Sequence, residues 1–183
     1  ASTAELPLQG GTLKLAQDTR YPWDGAVKIA VEPPAATGEF ALCLRIPAWC
    51  QGAAAKVNGR AVPVQPAQGF LALRRAWKAG DTVELDLPMP VRFIEPDPNV
   101  KENAGRLAWM RGPLVYCLED VDNAGPVDQI AIPRDARLEA KFEPDLLGGV
   151  VTLEGMGLGC ARPTTMAELR SPQHKPVRLK AVP

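Results

Sequence analysis

Residues 107–119, LAWMRGPLVYCLE, contain two short apolar segments separated by Arg111-Gly112-Pro113. Each segment has the length of an ordinary strand, and a glycine followed by a proline is a strong turn signal. The stretch therefore predicts two strands joined by a tight turn. It indicates a fold and contains no active site, so function has to be sought elsewhere in the chain.

Apolar residues upstream of this stretch recur with a period of two. Val27, Ile29 and Val31 alternate with small or charged neighbours, and residues 40–46 and 82–87 repeat the pattern. Alternation of this length predicts half-buried strands, with one face on a core and the other in water.

Breakers interrupt the whole chain, which has 19 prolines and 16 glycines, and they leave little room for helices. About seven short strands fit between residues 11 and 95, a spacing typical of a β-sandwich. Glycines break the regularity of residues 155–159, and residues 164–170 are compatible with one or two helical turns. Further strands are expected at residues 106–111, 113–119, 137–142, 149–154 and 177–182.

The polar stretch 96–105, PDPNVKENAG, predicts a linker or long loop at a domain boundary. The predicted fold class is all-β, with two consecutive antiparallel β-sandwich domains. They span residues 1–95 and 96–183, and the second is expected to be incomplete at its C-terminal end.

Two turns have specific chemistry. Val57-Asn58-Gly59-Arg60 predicts a hairpin, because Asn-Gly accepts the positive φ angles of a type I′ turn. Ala79-Gly80-Asp81 predicts a second tight turn, in which the Asp81 carboxylate caps backbone amides.

Charge and hydropathy exclude two classes of partner. The 183 residues include 21 basic and 21 acidic side chains and one histidine, so the net charge of zero favours neither nucleic acid nor an anionic membrane. No apolar run approaches the roughly 20 residues of a membrane span, and residues 1–5 show no signal-peptide pattern. We expect a soluble protein, and the compartment stays open between cytoplasm and periplasm.

The cysteines are Cys43, Cys50, Cys117 and Cys160, and none forms a CxxC pair. With a single histidine, they do not predict a zinc site in this chain. Cys43 and Cys117 lie inside apolar runs and are expected to be buried, reduced thiols. A disulfide between Cys43 and Cys50 stays open.

No catalytic constellation emerges from the remaining polar residues. Glycosidases usually need a pair of carboxylates, yet the nearest groupings, Glu119-Asp120 and Glu95-Pro96-Asp97, fall at predicted strand ends. His174 lies in a predicted exposed loop with no nucleophile near it in sequence. We therefore predict no catalytic and no metal-binding residue.

Tryptophans are the remaining candidates for ligand binding. Trp77 and Trp109 lie beside strand residues and are expected in cores. Trp23 and Trp49 follow strands or turns, which makes them weak candidates for binding a sugar ring. Packing of these two side chains against another domain is the favoured interpretation, and packing of Trp49 on its own sandwich is the alternative.

Five motifs in this order resemble a known family, the bacterial β-L-arabinofuranosidases of glycoside hydrolase family 127. The resemblance is to their C-terminal part, and it is good over residues 10–120 and looser beyond. The motifs are YPWDG at 21–25, LRIPAWC at 44–50, KVNG at 56–59, WKAGDTVEL at 77–85 and RGPLVYCLE at 111–119.

The resemblance implies a helical (α/α) catalytic barrel followed by two β-sandwich domains. In that family a zinc-bound cysteine nucleophile and a glutamate acid/base lie in the barrel. Nothing in this chain matches the barrel, so no catalytic residue is carried over, and the zinc is implied for the barrel and not for this chain. Cys50 and Cys117 belong to sandwich motifs.

Two functions are compatible with these residues. In the first, the chain is a non-catalytic region that braces the helical catalytic domain of the same polypeptide, with a possible place at its pocket rim or in a homo-oligomer. In the second, it is an autonomous carbohydrate-binding module whose tryptophans bind arabinose-containing glycans. Under either, the chain alone is expected to be inactive.

Overall fold

A computed structural model describes residues 1–8, 10–123, 125–160 and 174–183. The regular elements in these ranges are strands and short 3-10 helices, and every strand pair is antiparallel, so the all-β prediction is confirmed. The chain divides into two compact units, Ala1–Pro90 and Val91–Pro183. This division lies a few residues before the domain boundary predicted between residues 95 and 96. None of the described helices is long and apolar enough to cross a membrane.

The first unit contains two sheets. Their strands are β1 (Ser2–Leu8), β2 (Gly11–Thr19), β3 (Ala26–Glu32), β4 (Phe40–Arg45), β5 (Ala54–Val57), β6 (Arg60–Val62), β7 (Phe70–Arg75) and β8 (Asp81–Asp86). One sheet is six-stranded with the order β1-β2-β3-β8-β5-β6, and the other pairs β4 with β7.

Both sheets of the first unit contribute side chains to one core. Val31 of β3 and Val83 of β8 are fully buried, and they share a cluster with Leu44 of β4 and Leu71 of β7. Burial of each such side chain stabilises the unit by about 1.5–3 kcal/mol. The alternation seen in the sequence therefore does mark the inner face of a sandwich.

Both predicted turns of this unit are present. Val57 pairs with Arg60, and the two residues between them have positive φ angles of 50° at Asn58 and 75° at Gly59. At the second turn the backbone N–H of Lys78 donates to Asp81 Oδ2 at 2.9 Å, which is the predicted cap.

Within its described residues, the second unit contains one seven-stranded sheet and three 3-10 helices. Its strands are β9 (Val91–Ile94), β10 (Ala108–Arg111), β11 (Leu114–Leu118), β12 (Ile130–Ala131), β13 (Leu138–Glu143), β14 (Val150–Cys160) and β15 (His174–Val182). The helices are η1 (Lys101–Asn103), η2 (Asp120–Asp122) and η3 (Val127–Gln129). The strand order in the sheet is β12-β14-β15-β11-β10-β9, and β13 also pairs with β14.

This sheet curls around a single core. Trp109 of β10, Leu153 of β14 and Leu179 of β15 belong to one buried cluster, on which residues of β9 and β13 also pack. The stretch 107–119 forms the predicted hairpin, with Arg111 paired to Leu114 across its turn.

The long strands of the second unit differ from the predicted ones. Gly155, Gly157 and Gly159 lie inside β14. A Cβ added at Gly157 would lie 3.0 Å from the Leu179 side chain on β15. These glycines thus permit close packing and do not end the strand. His174 was expected in a loop, but it is the exposed first residue of β15. The helical turns considered at 164–170 lie outside the described residues.

The burial predicted for two cysteines is wrong. Cys43 and Cys117 are exposed, and both are free thiols, as is Cys50. Leu44 and Tyr116 are the neighbours that point into the cores. Because side chains alternate along a strand, each cysteine has to face outward. Cys43 and Cys50 form no disulfide with each other, since both are free thiols.

Candidate functional site

Two loops with aromatic residues meet at one end of the six-stranded sheet. Ala26 of β3 and Ala54 of β5 both pair with Asp86 of β8, so the loops that precede β3 and β5 are neighbours there. We call this region the aromatic end, defined as residues 20–25, 46–53 and 87–90.

The first loop of the aromatic end is held by local polar contacts. Arg20 Nε donates to Asp24 Oδ2 at 2.8 Å, and Asp24 Oδ1 accepts the N–H of Ala26 at 3.1 Å. The N–H of Trp23 donates to the Arg20 carbonyl at 2.8 Å. These bonds close a tight turn that fixes the backbone of Tyr21 and Trp23.

Gly25 seats this loop on the chain that leaves β8. The N–H of Leu87 donates to the Gly25 carbonyl at 3.0 Å. A Cβ at Gly25 would collide with the Leu87 carbonyl oxygen, so the close approach requires glycine. Leu87 is a residue of this site that sequence reasoning missed, since only the pairing of β3 with β8 brings it here.

The second loop packs inward. Trp49 is half-buried and lies against the core of the first unit together with Cys50 and Ala53. This contact is the one that the alternative interpretation of Trp49 expected. Trp23 is also half-buried, whereas Tyr21 is 41% exposed. The outermost ring of the aromatic end is therefore Tyr21.

Cys50 is unsuited to act as a nucleophile. Its Sγ lies 4.0 Å from the Pro88 carbonyl oxygen. Burial raises the pKa of the Cys50 thiol, and the nearby Asp86 carboxylate raises it further. A thiol with a raised pKa stays protonated at neutral pH, and the protonated form is a poor nucleophile.

The other tryptophans fill cores, as predicted. Trp77 is 5% exposed and its Nε1 donates to the Phe40 carbonyl at 3.1 Å, while Trp109 is 3% exposed. Neither is available to a ligand at the surface. The weak candidates Trp23 and Trp49 are each half-buried and lie on the two loops of the aromatic end.

The outer face of the six-stranded sheet has charges of alternating sign. Asp18 pairs with Lys28, Lys28 with Glu84, and Glu84 with Lys56 across four neighbouring strands. Opposite charges on adjacent strands attract and cancel at a distance. The two acidic and two basic side chains of this row therefore cancel in charge.

Comparison with known families matches the two units separately. The family model described as "Beta-L-arabinofuranosidase, GH127 middle domain" matches residues 1–89. The one described as "Glycoside hydrolase family 127 C-terminal domain" matches residues 91–183.

Individual relatives agree with these matches. A non-reducing end beta-L-arabinofuranosidase of Bifidobacterium longum is 38% identical over 162 residues, which are 84% of this chain and 24% of the relative. The crystal structure of a beta-L-arabinofuranosidase from Geobacillus stearothermophilus superposes with a TM-score of 0.87 at 42% identity, covering 99% of this chain and 29% of that one. A structure named glycoside hydrolase gives 0.88 at 36%, covering 99% and 31%. The chain thus spans about a quarter to a third of the length of these proteins.

Proposed function

Because the chain belongs to glycoside hydrolase family 127, we propose that it is the non-catalytic β-sandwich region of a bacterial β-L-arabinofuranosidase-like glycosidase. In this proposal it braces the helical catalytic domain of the same polypeptide. The observation that supports it most is the match of both units to the middle and C-terminal domains of the family, in a chain far shorter than its relatives.

The acidic groupings that came nearest to a catalytic pair have other partners. Asp120 Oδ1 accepts the N–H of Val127 at 2.8 Å, and Glu95 forms an ion pair with Arg134 at 3.1 Å. Both carboxylates lie at chain turns and are engaged with their own unit. This arrangement supports an accessory role in preference to an independent hydrolase.

The zinc that the family resemblance implies does not fit the described residues. Among residues 1–8, 10–123, 125–160 and 174–183, no three His, Cys, Asp or Glu side chains form a group able to hold a metal ion. Cys50 belongs to no such group, and its Sγ lies 4.0 Å from the Pro88 carbonyl oxygen. We therefore assign the zinc chemistry to the helical domain and derive no step through zinc here.

The aromatic end is our candidate for the surface that contacts the helical domain. Its first loop presents an exposed ring at Tyr21 on a backbone fixed by the Arg20–Asp24 ion pair. A preorganised aromatic loop loses little conformational entropy when it packs against a partner. Aromatic residues are also enriched at the centres of protein interfaces.

Mixing the chain with the separately produced helical domain tests this function. We expect a complex on size-exclusion chromatography and a higher melting temperature of the helical domain. Tyr21→Ala and Trp23→Ala should weaken the complex, whereas Leu6→Ala should not. Leu6 is a matched control because it is 45% exposed and pairs with Leu13, away from the aromatic end.

Other outcomes of this experiment contradict the proposal. Unchanged docking with lost affinity for arabinose oligosaccharides would favour the carbohydrate-binding module. Turnover of an aryl β-L-arabinofuranoside by the isolated chain, abolished by a substitution within it, would make the chain an enzyme. A place at the pocket rim and an interface between copies stay predictions, which crosslinking of the complete polypeptide would test.

A further inference from the structure

The hairpin turn between β5 and β6 contains a reactive dipeptide that the proposed function does not use. Asn58 is followed by Gly59, whereas Asn99, Asn103 and Asn123 precede other residues. Asn58 and Gly59 are both exposed, and a Cβ at Gly59 would meet open space. Both residues are therefore open to water, and there is free space beside the Gly59 Cα.

The side-chain amide of Asn58 is held at both of its polar atoms. Its Nδ2 donates to Asp81 Oδ1 at 2.8 Å, and its Oδ1 accepts the N–H of Thr82 at 2.8 Å. The backbone N–H of Asn58 also donates to the Thr82 carbonyl at 2.9 Å. All three bonds run to β8.

The sheet order gives these bonds a chemical consequence. β8 and β6 lie on opposite sides of β5, and the chain proceeds from Asn58 through Gly59 into β6. The side-chain amide of Asn58 is thus hydrogen-bonded to β8, whereas the backbone nitrogen of Gly59 lies on the chain that leads into β6. To approach that nitrogen, Cγ of Asn58 has to release both Asp81 and Thr82.

We propose that Asn58 is a spontaneous modification site, converted to aspartate and isoaspartate through attack by the Gly59 nitrogen, and that the bonds to Asp81 and Thr82 restrain this reaction in the folded chain. Asparagine is among the thermally labile residues of proteins. Glycine as the next residue favours ring closure because it has no side chain to obstruct the attack.

The reaction balances with water as the only co-reactant. The Gly59 nitrogen gives its proton to solvent base and bonds to Cγ of Asn58, and the Cγ–Nδ2 bond breaks. The departing nitrogen takes up the proton and leaves as ammonia, which leaves a five-membered succinimide. Water then adds to one of the two ring carbonyls, and opening gives aspartate or isoaspartate.

The product does not fit the folded turn. Nδ2 is the atom that donates to Asp81, and a carboxylate in its place would face the Asp81 carboxylate, which is 7% exposed. Like charges at this distance repel. Isoaspartate also lengthens the backbone by one carbon, which disturbs the pairing of Val57 with Arg60. The modification therefore occurs in molecules whose β5–β6 hairpin has opened, and it hinders the hairpin from forming again.

Peptide mapping of the complete 183-residue chain tests the proposal. Trypsin cleaves after Lys56 and Arg60, so the peptide Val57-Asn58-Gly59-Arg60 reports the site. After incubation at mildly alkaline pH, chromatography and mass spectrometry separate amide, aspartyl and isoaspartyl forms. We expect conversion at Asn58 that is slower in the folded chain than in the urea-denatured chain. Asp81→Ala should raise the folded-state rate roughly tenfold, because a lost hydrogen bond to a charged group shifts the opening equilibrium by at least that much.

A matched core variant separates local release from general unfolding. Leu44→Ala destabilises the same unit from β4 without touching the turn. Asp81→Ser, whose shorter side chain lacks the carboxylate that accepts from Asn58, serves if Asp81→Ala fails to fold. At equal unfolded fractions, the Asp81 variants should convert faster than Leu44→Ala. Equal rates in these variants, equal rates in folded and denatured wild type, or conversion only at the other asparagines would each overturn the proposal.

Discussion

Asp81 is the residue whose removal should show most clearly how the first unit is held together. Its carboxylate accepts the N–H of Lys78 at 2.9 Å and Nδ2 of Asn58 at 2.8 Å, and Arg75 lies at 3.7 Å. One side chain thus joins the turn that precedes β8 to the hairpin between β5 and β6. Asp81→Ala removes both hydrogen bonds at once.

The expected loss follows from these contacts. The hydrogen bond by which the Asp81 carboxylate caps the N–H of Lys78 contributes about 1 kcal/mol to stability. The hydrogen bond from Asn58, which is made to a charged group, contributes about 1.5–3 kcal/mol. The Arg75 pair is partly exposed and adds little. We expect Asp81→Ala to lower the free energy of unfolding by about 2–4 kcal/mol, and Asp81→Asn to lower it by less.

The pH dependence provides a second, independent signature. The Lys78 N–H and then the Asn58 amide lower the pKa of the Asp81 carboxyl in the folded chain. The stabilisation is therefore fully present above the unfolded pKa of about 3.9. It disappears as the pH falls through the lower folded pKa. The stability gap between wild type and Asp81→Asn should thus be constant near neutrality and shrink in acid.

Urea unfolding followed by tryptophan fluorescence at several pH values measures both effects. Asp18→Asn is the control, because Asp18 lies on the exposed outer face of β2. A change of less than about 0.5 kcal/mol for Asp81→Ala would refute the reasoning, since that is the size of an ordinary surface substitution. A gap between wild type and Asp81→Asn that persists unchanged in acid would refute it as well.

Three further substitutions test other parts of the first unit. Gly59→Val should cost about 1–3 kcal/mol, because φ is 75° there and no neighbour compensates; an unchanged melting temperature would contradict the type I′ turn. Gly25→Ala should lower stability by about 1–3 kcal/mol through the collision with the Leu87 carbonyl, whereas Gly38→Ala, where a Cβ meets open space, should be neutral in the same melt. Trp49→Ala should cost about 1–3 kcal/mol in urea unfolding, less than the 3–5 kcal/mol of a fully buried aromatic, because this side chain is half-buried on the core.

Local features of the sequence predicted much of the fold. Alternation at Ile29 and Val31 marks a buried face because successive side chains of a strand point to opposite sides. Asn58-Gly59 predicts its turn because the φ angles depend on those two residues alone. Neither inference needs knowledge of a partner strand, which is why both are confirmed.

The predictions that proved wrong concern residues whose surroundings are set by the folded sheets. The predicted burial of Cys43 and Cys117 followed the apolar composition of their runs, whereas the alternation that buries Leu44 and Tyr116 places both cysteines on outer faces. β1 is not among the strands predicted from the sequence, because it is an exposed edge strand with little alternation between buried and solvent-exposed residues. In the sequence alone Gly157 resembles a strand breaker, and only the folded sheet shows that the Leu179 side chain packs against it.

The family and the all-β class of this chain were thus determined by the sequence itself, through short motifs and through a period of two that any strand must obey. Only the tertiary structure brings the loops of the aromatic end to the same end of the six-stranded sheet. Trp23 and Trp49 lie in different motifs, and their loops reach the same end of the sheet because β3 and β5 both pair with β8. It also decided that Asp81 bonds to Asn58. Such contacts depend on which strands lie side by side, and pairing between distant segments is a property of the whole sheet that no local pattern specifies.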